Sequence, residues 1–212
     1  MPLIGTLQDD FDDNSFNGEL WPGSYGTYSE TGGRARVQCD PDYGAIVSAA
    51  TYTFAGSSVF AQLFPPALGG ATSSAYVTMS LIHSVEGTEI GTKIDLVTGK
   101  IRFQSNIDYW DDNAVELTYD SVAHSYVRIS ESGGTTTWST SPDGSTWTTR
   151  RTAATPSWAV SSSTIQLQVE TRRNSGTVDF AEIDNVNVVP TEEPPPAGEG
   201  SGFSKAAFLS FF

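Results

Sequence analysis

The sequence predicts an all-β protein in which two antiparallel sheets pack face to face. Three observations support this fold class: apolar and polar residues alternate with period two, turn signals recur about every ten residues, and no segment between Pro2 and Val189 has a helical period. Strands with one polar face bury the other face by packing one sheet on another. The sequence therefore predicts a β-sandwich of about a dozen strands.

The alternation is clearest in residues 164–172, TIQLQVETR. Ile165, Leu167 and Val169 share one face of the predicted strand, and Gln166, Gln168 and Glu170 share the other. The same pattern places Ala75, Val77, Met79 and Leu81 on one face of a strand, and Ile101 and Phe103 on one face of another. Cys39, the single cysteine, shares a strand face with Val37 and is predicted to be a buried thiol.

The charge balance excludes two classes of partner. The chain has 25 acidic and 11 basic residues, a formal net charge of −14, and no basic run. Nucleic acids and anionic membrane surfaces both require clustered cations, so neither is an expected partner. The first residues lack the features of a signal peptide, and no segment approaches the roughly 20 apolar residues of a membrane span. We expect a protein made in the host cytoplasm.

The composition divides the chain into three parts. Residues 1–189 form the predicted sandwich, residues 190–202 are a Pro- and Gly-rich linker, and residues 203–212 are a Phe-rich peptide. Burial of a large apolar side chain stabilises by about 1.5–3 kcal/mol, so this peptide should not stay in water. It either folds back on its own domain or, as we favour, anchors the chain to another protein through Phe203, Phe208, Leu209, Phe211 and Phe212.

Three stretches resemble a known superfamily. The opening LQDDFDDNSFNGELWPGSYGTYSETGGRARV leads into the first full strand, YVRISESGGTTTWSTSPDGSTWTT predicts three strands joined by two hairpins, and the closing VDFAEIDNVNVV is expected beside the first strand. Together they resemble the concanavalin A-like lectin/glucanase superfamily, the LamG-like jelly rolls. The resemblance spans residues 7–189 and implies a jelly-roll sandwich. It implies no single function, because the superfamily includes lectins, glycan hydrolases and inert spacer modules.

The organisation of the chain also resembles tail or virion-surface proteins of bacteriophages. A jelly roll without a signal peptide, followed by a linker and an aromatic tip, suits a minor tail or capsid decoration protein that contacts other virion proteins through its tail. We therefore predict a non-enzymatic structural or display protein on the virion surface, with host-surface glycans as further partners. Two alternatives stay open: a stand-alone carbohydrate-binding, lectin-like module, and a glycan hydrolase of the jelly-roll glucanase type.

The prediction that the chain is not an enzyme depends on the segment AEIDNVN. Retaining glucanases of the superfamily carry Glu-x-Asp-x-(x)-Glu on one strand, with the two Glu residues as nucleophile and acid/base. Glu182 and Asp184 match the first two positions, whereas Val186 or Asn187 occupies the third. Strict alternation would also turn both carboxylates toward the core, where an unpaired charge is costly. We therefore expect either that a bulge re-phases the strand or leaves the acids at the surface, or that a cation pairs with them.

Asp10, Asp12 and Asn14 occur at alternate positions, as in a fragment of a calcium loop. The spacing lacks the Gly and Glu of an EF-hand, so the favoured interpretation is acidic solvation of the N-terminal segment. No metal or cofactor is expected. Calcium shared between these three residues and Asp184 is the alternative.

The best binding candidate is the loop IDYWDDN, residues 107–113. Sugar recognition uses an aromatic face for the apolar side of the ring and fixed amides or carboxylates for the hydroxyls. Tyr109, Trp110, Asp111, Asp112 and Asn113 supply both. The favoured interpretation of the loop is nevertheless a polar connection with one aromatic side chain in the core, and sugar binding is the alternative.

The stretch TWSTSPDGSTW, residues 137–147, places a Trp on each side of a Pro-Asp-Gly turn. The spacing predicts that Trp138 and Trp147 form a cross-strand pair that closes a hairpin. A sugar-stacking platform is the alternative.

Overall fold

The structure, a computed structural model, describes residues 1–39 and 43–190. The chain begins with a short 3₁₀ helix (Ile4–Thr6), and a single α-helical turn, α1 (Ser157–Ser161), precedes the penultimate strand. The strands are β1 (Tyr28–Glu30), β2 (Ala35–Gln38), β3 (Gly44–Val47), β4 (Ser58–Phe64), β5 (Ala75–Ile82), β6 (Glu89–Asp95), β7 (Lys100–Asn106), β8 (Val115–Thr118), β9 (Tyr126–Ser132), β10 (Thr135–Ser141), β11 (Thr148–Ala154), β12 (Gln166–Arg173) and β13 (Phe180–Asp184). In the described part of the chain, no helix has the length and apolar character that a membrane crossing requires.

The strands form two antiparallel sheets. A seven-stranded sheet has the order β1-β2-β13-β4-β9-β10-β11, and a six-stranded sheet has the order β3-β12-β5-β6-β7-β8. The closing strand β13 pairs with β2, and β9, β10 and β11 are consecutive neighbours, both as predicted from the sequence. The all-β, two-sheet prediction is confirmed.

Alternation along each strand builds the core between the sheets. On β12 the exposed or half-buried residues alternate strictly with buried ones, as predicted for this strand. The fully buried residues from both sheets include Val37, Ile46, Val59, Val77, Met79, Leu81, Ile94, Phe103, Ile129, Leu167 and Ile183. Cys39 is buried at the end of β2, which confirms the prediction of a buried thiol.

The two Trp residues that flank the Pro-Asp-Gly turn do not pair. Trp138 is fully buried between the sheets, and its cross-strand neighbours are Ile129 and Arg151. Trp147 lies outside the regular strand and packs against Phe60, with ring centroids 5.6 Å apart. The predicted pair is wrong because Trp138 faces Arg151, four residues beyond Trp147, and Trp147 belongs to the turn that separates β10 from β11.

The final strand keeps its carboxylates away from the core. Ala181 and Ile183 are buried, whereas Glu182 and Asp184 lie on the outer face of the seven-stranded sheet. Asn185 then takes a left-handed conformation, φ 55°, which re-phases the chain so that Val186 is buried. The strand thus shows both expected features: the chain is re-phased at Asn185, and Glu182 pairs with the cations Arg34 and Arg36.

Candidate functional site

The outer face of the six-stranded sheet forms a cleft of about 1070 Å³. On β12, β5, β6 and β7 successive side chains point to opposite faces of the sheet. Every second side chain therefore faces the cleft, and the side chains between them face the core. Segments from three other parts of the chain form the rim: the residues around Tyr25, the turn between β5 and β6, and the loop between β7 and β8. The cleft therefore combines residues that are far apart in the sequence.

The middle of the floor is uncharged. The cross-strand register places Gln168, Ser80, Gly91 and Gln104 in one row. A Cβ at position 91 would lie 2.5 Å from Ser80 Oγ, so only glycine leaves Ser80 its place on the floor. Two polar atoms of cleft-lining residues, Ser80 Oγ and Asn106 Oδ1, are closed to solvent and have no hydrogen-bond partner among the described residues.

Glu170 is held by two tyrosines on one side of the cleft. The Tyr25 and Tyr76 hydroxyls donate to its two carboxylate oxygens at 2.9 and 3.0 Å, and Gln168 Nε2 donates at 3.2 Å. Burial raises the pKa of Glu170, although the hydrogen bonds from the tyrosines oppose this. Burial, followed by the nearby Glu170 charge, likewise raises the pKa of both tyrosine hydroxyls.

Strand β6 contributes a second carboxylate and a lysine. Glu89 accepts hydrogen bonds from Gln104 Nε2 at 2.6 Å and from Asn106 Nδ2 at 2.9 Å. The Lys93 ammonium lies 4.0 Å from the centre of the Tyr76 ring and 3.9 Å from an oxygen of Asp95. Burial lowers the pKa of Lys93, and the neighbouring carboxylates only partly oppose this.

The loop between β7 and β8 presents two aromatic side chains to the cleft. Ile107 and Trp110 close a two-residue hairpin in which Asp108 and Tyr109 have φ of 53° and 65°, a conformation that is unfavourable for a large side chain. The Tyr109 N–H donates to Gly87 O at 2.9 Å, and its hydroxyl donates to Glu86. These bonds fasten the loop to the turn between β5 and β6.

The structure separates the five predicted binding residues. Tyr109 and Trp110 line the cleft and are 61% and 64% exposed. Asp112 accepts a hydrogen bond from Trp110 Nε1 at 2.7 Å and so orients the indole. Asp111 is buried, and Asn113 uses its backbone N–H to donate to Asp111 at 2.9 Å. The five residues stay a prediction as a binding set, with Asp111 and Asn113 contributing to loop architecture.

Asp111 anchors this loop to the seven-stranded sheet. Its Oδ2 lies 2.6 Å from Arg151 Nη1, and both side chains are almost fully buried. Burial by itself would raise the pKa of Asp111, but hydrogen bonds from Arg151, the Ser105 N–H and the Asn113 N–H prevail and lower it. The carboxylate is therefore charged and fully engaged inside the protein.

The pair of acids used to exclude catalysis lies on the other sheet. Glu182 binds Arg34 at 2.7 Å and Arg36 at 2.9 Å on the outer face of the seven-stranded sheet. Burial raises the pKa of Asp184 to about 6. Within the cleft, β6 presents Glu89 and Lys93 four residues apart, so this strand matches only the first position of the glucanase pattern.

The calcium alternative stays a prediction. Asn14 Oδ1 accepts a hydrogen bond from the Gly32 N–H at 2.6 Å, and Asp10 Oδ1 accepts one from the Asp12 N–H at 3.3 Å. The charges of Asp12 and Asp10 contribute to the raised pKa of Asp184, after burial. Among residues 1–39 and 43–190, no group of three or more His, Cys, Asp and Glu side chains is arranged to hold a metal ion.

Comparisons with solved structures identify proteins of similar fold. A β-glucanase from Bacillus licheniformis is 16% identical with a TM-score of 0.59, and the match covers 84% of this chain and 95% of the enzyme. A laminarinase from Flavobacterium sp. UMI-01 is 8% identical with a TM-score of 0.61, covering 84% and 96%. The exoplasmic/lumenal domain of VIP36, bound to Ca²⁺ and Man3GlcNAc, is 12% identical with a TM-score of 0.57, covering 84% and 88%.

The chain therefore shares a jelly-roll sandwich with a glucanase, a laminarinase and the VIP36 domain. No family model matches the sequence of this jelly roll, and no curated protein matches it either. At these identities the likeness establishes the fold and does not establish a function.

The prediction that this jelly roll is not an enzyme is contradicted. Structures that share its fold over most of its length include a glucanase and a laminarinase. The prediction also used the wrong strand, because Glu182 and Asp184 lie outside the cleft while Glu89 and Glu170 lie inside it.

Sequence reasoning missed most of the cleft. The sequence pattern does not indicate five cleft residues as binding residues: Tyr25, Tyr76, Glu89, Lys93 and Glu170. It does predict the polar face of β12, which carries Gln166, Gln168 and Glu170. The signal available was the concentration of amides and carboxylates on that one face. The Phe-rich peptide, residues 203–212, and the linker after Pro190 lie outside the described residues.

Proposed function

We propose that this jelly roll is a carbohydrate-binding protein whose cleft on the six-stranded sheet holds an oligosaccharide. The observation that carries the proposal is the position of Trp110, which is 64% exposed at the rim of a cleft whose floor is lined by hydroxyl and amide groups. Soluble proteins expose few large aromatic side chains without a use, and an indole face suits the apolar side of a sugar ring.

The polar groups of the cleft suit sugar hydroxyls. A hydroxyl both donates and accepts, so it can pair with the amide of Gln168 and with the carboxylate of Glu89, both of which line the cleft. Glu89 and Glu170 are held in place by neighbouring donors, so their orientation does not depend on the ligand. Fixed acceptors lose less entropy on binding than mobile ones, which favours recognition.

The likeness to a protein bound to Man3GlcNAc, and to a glucanase and a laminarinase, supports this class of ligand. The volume of the cleft, about 1070 Å³, is at the upper end of the range typical for small-molecule sites and suits an extended ligand of several rings.

Binding to a panel of oligosaccharides and cell-wall polysaccharides tests the proposal. We expect Trp110→Ala to weaken binding by roughly tenfold to a hundredfold, because it removes an aromatic platform worth about 1–3 kcal/mol. Trp147→Ala is the matched control, since Trp147 packs on Phe60 on the opposite sheet. Equal binding by wild type and Trp110→Ala, or no binding to any glycan, contradicts the proposal.

Cleavage of the bound glycan is a second candidate function. The specific observation is that two carboxylates in different environments, Glu89 and Glu170, line one cleft. Burial raises the pKa of Glu170, and a carboxyl group of this kind can deliver a proton to a leaving group. Release of reducing sugar that is lost in both Glu89→Gln and Glu170→Gln supports cleavage; release that depends on neither residue contradicts it.

Attachment to a virion through residues 203–212 is a separate proposal, which rests on the composition of that peptide and not on the cleft. Deletion of the peptide is expected to leave a folded sandwich that no longer joins its assembly. Unchanged incorporation into particles would exclude the anchor.

A further inference from the structure

The charge distribution of the cleft bears on which glycans it accepts. Among the described residues that line it, five are acidic and three are basic: Glu86, Glu89, Asp95, Glu116 and Glu170 against Lys93, Lys100 and Arg102. The cleft thus has an excess of negative charge, in a chain whose formal net charge is −14. A ligand that carries a carboxylate or sulfate on every sugar would meet repulsion at several points.

The arginine of the cleft is already engaged. Arg102 donates from Nε to Gln104 Oε1 at 3.0 Å, from Nη1 to Glu116 Oε1 at 2.8 Å, and from Nη2 to Asp111 O at 3.2 Å. All three nitrogens therefore have acceptors inside the protein. Each Nη keeps one further N–H, and an anionic sugar that bound the free N–H of Nη1 would lie close to the Glu116 carboxylate.

Lys93 is likewise surrounded by acidic groups. Its ammonium lies over the Tyr76 ring and 3.9 Å from Asp95. The charges of Glu89 and Glu170 also act on it, after that of Asp95. An added anion at this position would approach the lysine only by approaching these carboxylates as well.

The strand register shows how the cations are enclosed. Glu170 faces Thr78, Thr78 faces Lys93, Lys93 faces Arg102, and Arg102 faces Glu116 across four neighbouring ladders. In this row the two cations lie between two carboxylates, and on the far side of Glu170 the row ends at Ala45 of β3. The next row, with Gln168, Ser80, Gly91 and Gln104, is uncharged.

We infer that the cleft selects uncharged glycans, and that Glu170 and Glu116, which lie on either side of Lys93 and Arg102 in this row, exclude polyanionic ones. The inference deepens the proposed function and rests on it. Hydroxyl groups donate well to carboxylates, whereas uronate or sulfate groups cannot. Exclusion by unfavourable charge is a usual way to obtain specificity without losing affinity for the correct ligand.

The test compares neutral polysaccharides with their own oxidised forms. A glucan, a mannan and a galactan are each used beside the derivative in which the C6 alcohol is oxidised to a carboxylate, so that the two polymers differ only at C6; the salt dependence separates the effect of charge from the loss of the hydroxyl. We expect the wild-type protein to bind the oxidised form of its preferred polymer at least about tenfold more weakly at low salt, and this difference to shrink at high salt.

Variants test whether the carboxylates beside Lys93 and Arg102 cause the selectivity. Glu116→Gln removes a carboxylate whose side chain is 46% exposed and releases one donor of Arg102. We expect the ratio of its affinities for the oxidised and the neutral polymer to rise several-fold, because one repelling carboxylate is gone. Asp10→Asn is the control, because it makes the same change of charge at an exposed residue outside the cleft.

The outcomes separate the two proposals. Equal or tighter binding of the oxidised polymer, lost in Trp110→Ala, overturns the selectivity and leaves the cleft as a glycan site. Binding of no polymer overturns the proposed function and the selectivity with it. The salt dependence is measured on the unaltered protein, so the inference stays testable even if a variant does not fold.

Discussion

The indole N–H of Trp138 donates to the carbonyl oxygen of Gly91 across the interior of the sandwich, at 3.1 Å. Trp138 belongs to the seven-stranded sheet, and Gly91 lies beside Ser80 on the floor of the cleft. A core residue of one sheet thereby fixes the backbone beneath the site on the other. The Arg151 guanidinium, 4.6 Å from the centre of the Trp138 ring, extends the same support to the loop that carries Trp110.

Replacement of Trp138 by Phe tests this support. The variant loses the hydrogen bond to Gly91 and part of a fully buried ring, so we expect a loss of about 2 kcal/mol in the free energy of unfolding. We also expect weaker glycan binding, because Gly91 is no longer held. Urea titrations measure the first effect and calorimetry the second. Trp147→Phe, on the outer face, should change neither by much; a wild-type affinity in Trp138→Phe would disprove the support.

A variant at Asp111 tests whether this residue stabilises the fold or contacts the ligand. Asp111→Asn leaves the buried Arg151 charge without its partner, and breaking a buried pair costs about 3–5 kcal/mol. The pKa of Asp111 is lowered in the folded protein, so its contribution to stability is present above the ordinary pKa of an aspartate and is lost as the pH falls through the lower folded value. Trp110→Ala, in contrast, should hardly change stability. Similar urea midpoints for wild type and Asp111→Asn would contradict this role.

The glycine on the cleft floor is expected to be irreplaceable. In Gly91→Ala the new Cβ would lie 2.5 Å from Ser80 Oγ, so the floor must shift, at a cost of about 1–3 kcal/mol in unfolding free energy. Removing the hydroxyl in Ser80→Ala relieves this contact. The double variant Gly91→Ala/Ser80→Ala should therefore recover part of the loss, and a strictly additive double-mutant cycle would show that the two residues do not interact.

Much of the fold follows from local patterns, and the cleft does not. Period two in β12 gives the correct inward and outward faces for Leu167 and Gln168 because a strand leaves a side chain no other choice. Which of two polar faces becomes a site depends on sheet assignment, which no local pattern contains. Glu89 and Glu170 meet in one cleft only because β5 lies between β6 and β12.

The loop of residues 107–113 shows the same limit within a short stretch. Its composition did not decide between a sugar platform and a connection with one aromatic side chain in the core, and the structure leaves both Tyr109 and Trp110 exposed. The composition could not show that the carboxylate of Asp111 turns inward, because the partner, Arg151, belongs to the other sheet. The glucanase pattern on β13 failed for a related reason, since the pattern identifies residues and not the sheet that carries them.

The raised pKa of Glu170 predicts a pH dependence of stability. Burial makes the ionised carboxylate costly, so the folded chain binds a proton more tightly than the unfolded chain does. The stabilising effect of that proton is complete below the ordinary pKa of a glutamate and is lost as the pH rises through the folded value. We expect Glu170→Gln to gain stability relative to wild type between acidic and neutral pH, as measured by urea titrations across that range. A constant difference between the two proteins would contradict the effect of burial.

The most direct test of the central claim is a map of where a bound neutral oligosaccharide touches the protein, read from the indole N–H signals of its five tryptophans in a nitrogen-15 NMR spectrum. The cleft hypothesis predicts that the signal of Trp110 shifts on binding, that Trp138 follows through its bond to Gly91, and that Trp147 stays unchanged. Shifts confined to Trp147, on the opposite sheet, would contradict it.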